Sequence, residues 1–125
     1  MTETRSLFVA TLLLAATFSA DAAAETMVGR WCDRSIPNLP VGDRIMTIVV
    51  RDNGNVDVVS TFRNSAPLVQ RLREQRGSVY SIVGSSSGDR MRITAPGNLQ
   101  LLDNDGLIRE ANRLENTPRP RECLR

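Results

Sequence analysis

Between Val28 and Leu114 the chain never holds one hydropathy pattern for long. Short apolar or alternating runs are cut by clusters of Gly, Asn, Asp and Pro, and that rhythm restricts the fold to β-hairpins in series. Residues 28–33 read as a first strand, and 36–42, with Pro37 and Pro40, as a loop. Residues 45–51 are dense in β-branched side chains (Ile45, Thr47, Ile48, Val49, Val50) and apolar on both faces. Arg51-Asp52-Asn53-Gly54-Asn55 is a hairpin signal, because Asn and Gly tolerate the positive φ of a tight turn. Val56–Phe62 then alternates, with Val56, Val58 and Phe62 on one face and Asp57 and Thr61 on the other. Residues 79–83, 90–94, 99–102 and 107–114 complete the series, separated by 84–89, 95–98 and 103–106.

The stretch from Pro67 to Arg76 fits two readings. Leu68, Val69 and Leu72 share a helical face, with Ser65 as a cap and Gly77 as a stop. Leu68 and Leu72 also share one face of a strand. A strand is preferred, since a lone helix would interrupt the meander. The expected fold is all-β: an antiparallel up-and-down barrel of about eight short strands, with its interior filled by side chains. Closing the sheet on itself leaves no free edges.

Two features bound where such a barrel works. Residues 7–18 are almost unbroken apolar sequence behind a short polar start, and Ala20-Asp21-Ala22 and Ala22-Ala23-Ala24 are small-x-small sites. That order reads as a secretory signal peptide over residues 1–24, cleaved near Ala23 or Glu25. The apolar run is shorter than the ~20 residues of a spanning helix, and Cys32 stands too late to be a lipidation site, so no membrane anchor is expected. Residues 25–125 form one domain, periplasmic or secreted. The only two cysteines, Cys32 and Cys123, lie near opposite ends of that domain and in an oxidising compartment read as a disulfide. It would pin an extended tail (117–121, with Pro118 and Pro120) back to the first strand.

Composition removes several function classes. The formal charge is +2, and loss of Arg5, Glu3 and Asp21 with the signal raises it by one, too little and too dispersed for a nucleic-acid reading. All 16 basic residues are arginine, and histidine is absent, so the usual general base of nucleophilic catalysis is missing. No catalytic residues are assigned. Too few thiols and no histidine speak against zinc. Asp103, Asp105 and Gly106 suggest calcium, but an EF-hand register puts Leu101 first and Asn112 last, where a bidentate Glu is needed, so a hairpin turn is expected. Gly84-Ser85-Ser86-Ser87-Gly88 lacks the Lys and helix of a phosphate loop and reads as a flexible connection. No cofactor and no metal are implied.

Gly29-Arg30-Trp31 at the first strand resembles the G-x-W start of lipocalins and related calycin barrels. The resemblance implies a tryptophan plugging the barrel base under an arginine of the last strand, Arg109 or Arg113. Leu107 and Ala111 are expected on the face of both arginines, with Ile108 and Leu114 opposite. Ser87-Gly88-Asp89-Arg90-Met91 resembles the Ser-Gly-x-x-Tyr loop of periplasmic c-type lysozyme inhibitors, small exported barrels with a disulfide from an early strand to the C-terminal region. Met91 replaces the tyrosine, so lysozyme inhibition is expected to be weak or absent, with another hydrolase as the expected target.

The leading expectation is therefore a non-enzymatic module, an inhibitor of a hydrolase or another protein-binding barrel, that binds a protein partner through Ser85, Ser86, Ser87, Gly88, Asp89 and Arg90. A small-ligand lipocalin-like protein and a structural envelope protein are the rival classes. Oligomeric state is not read from the sequence.

Overall fold

A computed structural model describes residues 25–34, 43–114 and 123–124. The expected signal peptide, the 36–42 loop and the 117–121 tail lie outside the described residues. Eight strands follow one another: β1 (Thr26–Asp33), β2 (Arg44–Val50), β3 (Val56–Phe62), β4 (Leu68–Gln75), β5 (Val79–Ile82), β6 (Arg90–Ile93), β7 (Leu99–Asp103) and β8 (Gly106–Arg113). Each pairs antiparallel with its chain neighbours, and β8 returns to β1, closing a barrel in sequence order. The ambiguous 67–76 stretch is strand β4, with Leu72 buried and Leu68 half-exposed on the same face.

Alternation decides which side chains fill the interior. Trp31, Met46, Ile48, Val56, Val58, Leu72, Tyr80, Met91, Leu99, Leu101 and Ala111 form one cluster, with Val28, Val50, Ile82 and Ile93 packed against it. These side chains fill the interior, as expected of a barrel of eight short strands. The 51–55 hairpin closes as its residues dictate: Gly54 takes φ +88°, its N–H donates to Arg51 O at 2.9 Å, and Arg51 N–H donates to Asn55 O at 2.7 Å.

The two barrel ends differ. One carries the short turns 51–55, 76–78 and 94–98 and is the turn end. The other carries the connections 63–67, 83–89 and 104–105 and is the loop end.

The seam between first and last strands is narrow. Among the described residues β1 meets β8 in two rungs, Trp31 with Arg113 and Cys32 with Asn112. The expected disulfide reinforces it: Cys32 and Cys123 are bonded, their Cα atoms 5.7 Å apart, across 91 residues of sequence. Cys32 points outward between inward Trp31 and Asp33. The bond is buried on the outer wall with Leu114 and Ile45.

One expectation about β8 is corrected. Leu101 pairs with Arg109, but Leu102 pairs with Leu107 and Asp103 with Gly106, so a bulge at Ile108 shifts the register. Leu107 therefore leaves the face of Arg109 and Ala111 and joins Ile108 on the outside, where both are exposed.

Candidate functional site

Asp33 closes the hydrophobic interior toward the loop end. It follows Gly29 and Trp31 at period two, so the strand turns it inward, where it is only 3% exposed. Arg109 of β8 grips it with two bonds, Nε to Oδ1 at 2.7 Å and Nη2 to Oδ2 at 2.8 Å. Arg44 of β2 adds Nε to Oδ2 at 2.6 Å and extends Nη1 to the fully buried Ser60 hydroxyl of β3 at 3.3 Å. Burial alone would push the Asp33 carboxyl up. The hydrogen bonds from Arg109 and Arg44, with their charges, outweigh it and hold the group below its usual 3.8. The carboxylate thus stays ionised at neutral pH and accepts bonds rather than supplying protons. Its effect is to tie β8, β1, β2 and β3 together from inside. The inward placement of Asp33 and Arg44 is legible as a period-two pattern, Gly29, Trp31, Asp33 and Arg44, Met46, Ile48, yet of Asp33, Arg44, Ser60 and Arg109 the sequence singles out only Arg109, and for a different role.

That role falls to Arg113. Trp31 is wholly buried, its Nε1 donates to Gly97 O in the β6–β7 turn at 2.7 Å, and the Arg113 guanidinium lies 5.9 Å from the ring centroid. Arg109, four residues nearer the loop end on the same face, is taken by Asp33 instead. Trp31 also explains its own glycine: a Cβ at Gly29 would sit 2.7 Å from the Trp31 Cη2 and 2.9 Å from its Cζ2.

The 83–89 loop is laced by hydrogen bonds of its own side chains and backbone. Ser85 Oγ accepts from Asp89 N–H at 3.1 Å, Ser87 Oγ donates to Asp89 Oδ2 at 3.4 Å, and Arg90 Nη1 donates to Gly88 O at 3.1 Å. Backbone bonds pin both ends, Ile82 N–H to Asp89 O and Ser85 N–H to Ile82 O, while Asn104 N–H of the β7–β8 turn reaches Ser87 O at 3.0 Å. Gly88 holds φ +69° against the Asn104 side chain, where a Cβ has no room. Of the six residues singled out, Ser85, Gly88, Asp89 and Arg90 shape the loop, and Ser86 and Ser87 are its exposed tip. Met91 is not part of that tip. It is buried in the barrel core, so the position matching the inhibitor tyrosine faces inward.

Around this loop lies a feature that the sequence did not single out. Of the six large hydrophobic residues that are strongly exposed among the described residues, five stand at the loop end: Leu68, Val69, Val83, Leu107 and Ile108, at 45–57%. The bulge in β8 supplies two of them and the ends of β4 and β5 the others. Period-two reading could have flagged Val69, which lies on the outward face of β4.

On the outer wall, Asp57 of β3 is buried beneath Arg71 (Nε to Oδ1, 2.6 Å) and Arg51 (Nε to Oδ2, 2.9 Å), and Arg51 also holds Glu25 at 2.6 Å. Burial raises the Asp57 carboxyl, but these two arginines outweigh it and keep it low. No group of three or more His, Cys, Asp or Glu side chains placed to hold a metal ion occurs among the described residues. No family model, no curated protein and no solved structure matches the chain.

Proposed function

We propose that this chain is an exported, non-enzymatic binding module that engages a protein partner, in the inhibitor form a hydrolase, through its loop end. The observation that carries the reading is the coincidence at one barrel end of a hydrogen-bonded loop, with Ser86 and Ser87 exposed at its tip, and five exposed large apolar side chains. Apolar groups gathered beside a polar tip mark an interaction surface, and a tip fixed before contact loses little entropy on binding. The central interior supports the same reading, because Trp31, Met46, Ile48, Val58, Met91 and Leu99 occupy it. The buried disulfide suits an oxidising compartment and so supports export.

The lipocalin-like likeness rests on Gly29 and Trp31 and on the closed eight-strand barrel. A small-ligand role has no further support. The lysozyme-inhibitor likeness loses its key contact, since Met91 points into the core.

The test uses two variants with wild-type thermal stability, Ser86→Arg/Ser87→Arg at the tip and Leu107→Asp/Ile108→Asp on the rim. Partner capture from periplasmic extract is compared with wild type, with lysozyme included as a defined partner. Loss of the captured protein with either variant supports the loop end, and undiminished capture by both overturns it.

A further inference from the structure

The arginines are scattered along the sequence and gathered by the fold. Alternation about the buried residues Leu72, Tyr80 and Met91 turns Arg71, Arg73, Ser81, Arg90 and Arg92 to the outside of the barrel wall. The register sets Arg73 opposite Ser81 and Ser81 opposite Arg90, so one row holds a hydroxyl between two guanidinium groups. Arg71 stands one row nearer the loop end, where its carbonyl accepts the Val83 N–H at 3.0 Å. Arg92 stands one row nearer the turn end, opposite Val79. Short side chains along β5 thus lie between longer arginines on β4 and β6, forming a shallow trough.

This wall has more cation than its own carboxylates balance. Arg71 is matched by Asp57. Arg90 gives its bond to the Gly88 carbonyl, and Arg92 donates from Nε and Nη2 to the neutral Gln100 Oε1 at 3.0 and 2.7 Å. Arg73 has no side-chain hydrogen bond or ion pair among the described residues. The outward positions of β4, β5 and β6 carry no Asp or Glu at all.

Spacing and surroundings select the occupant. Rows recur every two residues, about 6.7 Å apart, which is also the repeat of same-face side chains in an extended polypeptide. The two arginine columns lie about 9.6 Å apart, two strand spacings, so side chains from both can close over one chain. Guanidinium groups take carboxylates with two parallel hydrogen bonds. The aromatic residues Trp31, Phe62 and Tyr80 sit on inward positions, so the wall offers no ring on which a base would stack. We propose that the outer wall of β4, β5 and β6 binds an extended acidic polypeptide segment with carboxylates on every second residue, held by Arg73 and Arg90 across Ser81. The site does not include the loop tip, Ser86 and Ser87, although Arg90 also bonds the Gly88 carbonyl of that loop.

The probe is a fluorescent twelve-residue peptide of alternating Glu and Ser, measured by anisotropy at low salt. It is set against a block peptide of the same composition, an oligothymidylate and a polyuronate. The alternating peptide binds at least about threefold tighter than the block peptide and than either non-peptide polyanion. Arg73→Glu/Arg90→Glu weakens it about tenfold or more, Arg73→Lys/Arg90→Lys weakens it less, and the Ser86→Arg/Ser87→Arg tip variant keeps its binding site intact. Circular dichroism confirms folding, with Arg73→Gln/Arg90→Gln as the replacement if charge reversal disturbs it. Equal binding of the two peptides, tighter binding of the oligothymidylate or polyuronate, or indifference to the arginine variants overturns the proposal.

Discussion

Gly29→Ala is a one-carbon change whose consequence follows from a single ring. The added Cβ would meet the six-membered ring of Trp31 at 2.7 and 2.9 Å, inside any real carbon–carbon contact. The ring has no easy retreat, because its Nε1 is bonded to Gly97 O and Arg113 lies over its face. Overpacking of this kind costs about 1–3 kcal/mol, offset by about 0.4–1 kcal/mol from the stiffer unfolded chain. The expected net loss is about 1–2 kcal/mol, a fall of roughly 4–16 °C in Tm for a domain of this size. Trp31→Phe deletes the atoms that the new Cβ would strike, at a cost of about 2–4 kcal/mol from lost volume and an unpaired Gly97 carbonyl. The double variant should then be more stable than the two losses summed, by about 1–2 kcal/mol, since the methyl enters vacated space. Urea unfolding with the disulfide intact, followed by far-ultraviolet circular dichroism, measures all four proteins on one signal. A neutral Gly29→Ala, or strict additivity in the double variant, refutes the account of why glycine precedes this tryptophan.

Asp33→Asn should cost about 3–5 kcal/mol at pH 7, toward the lower end because Arg44 and Arg109 retain access to water. The Asp33 carboxyl is lowered on folding, so its stabilisation is present above the ordinary value of 3.8 and is lost as pH falls through the folded one; the gap between wild type and variant, read from urea midpoints, should narrow below about pH 4. Cys32→Ser/Cys123→Ser removes a link across 91 residues and should lower stability by about 3–5 kcal/mol by the same assay, with no free thiol detected in the unfolded, unreduced parent. Gly88→Ala, at φ +69° against Asn104, should lose about 1–3 kcal/mol, and pairing it with Asn104→Ala should recover the steric share but not the backbone share. Intact mass of the exported protein should show a start near Ala23 or Glu25, and retention of residues 7–18 would refute a cleaved signal.

The barrel was legible because its evidence is local. Alternation in Val56–Phe62 and the Asn-Gly turn at 53–54 each name a strand or hairpin without reference to anything distant, and a meander needs nothing more. The Cys32–Cys123 link was legible because two cysteines allow one pairing. What escaped depends on register between strands. The sequence cannot show that Leu102 faces Leu107, so the bulge that turns Leu107 outward was invisible; nor can it show that Trp31 faces Arg113, which leaves Arg109 to Asp33. The same holds for the loop: Ser85 and Asp89 look like exposed polar residues until the hairpin brings their side chains back onto its own backbone. The arginine wall was hidden for that reason too, because Arg73 and Arg90 become neighbours only through Ser81.

The two-rung seam and its buried disulfide have a consequence for survival under proteolysis. Every strand contacts its chain neighbours, and the bond joins the chain at 32 to the chain at 123, so the barrel is covalently a ring. A single cut within the 83–89 loop would open that ring without releasing a piece, since both fragments remain linked through Cys32 and Cys123 and through the remaining strand pairs. The new ends would stay within reach of one another, as they do in a circularly permuted chain. A loop carried within such a ring can therefore be nicked while the strands on either side of it keep their pairing.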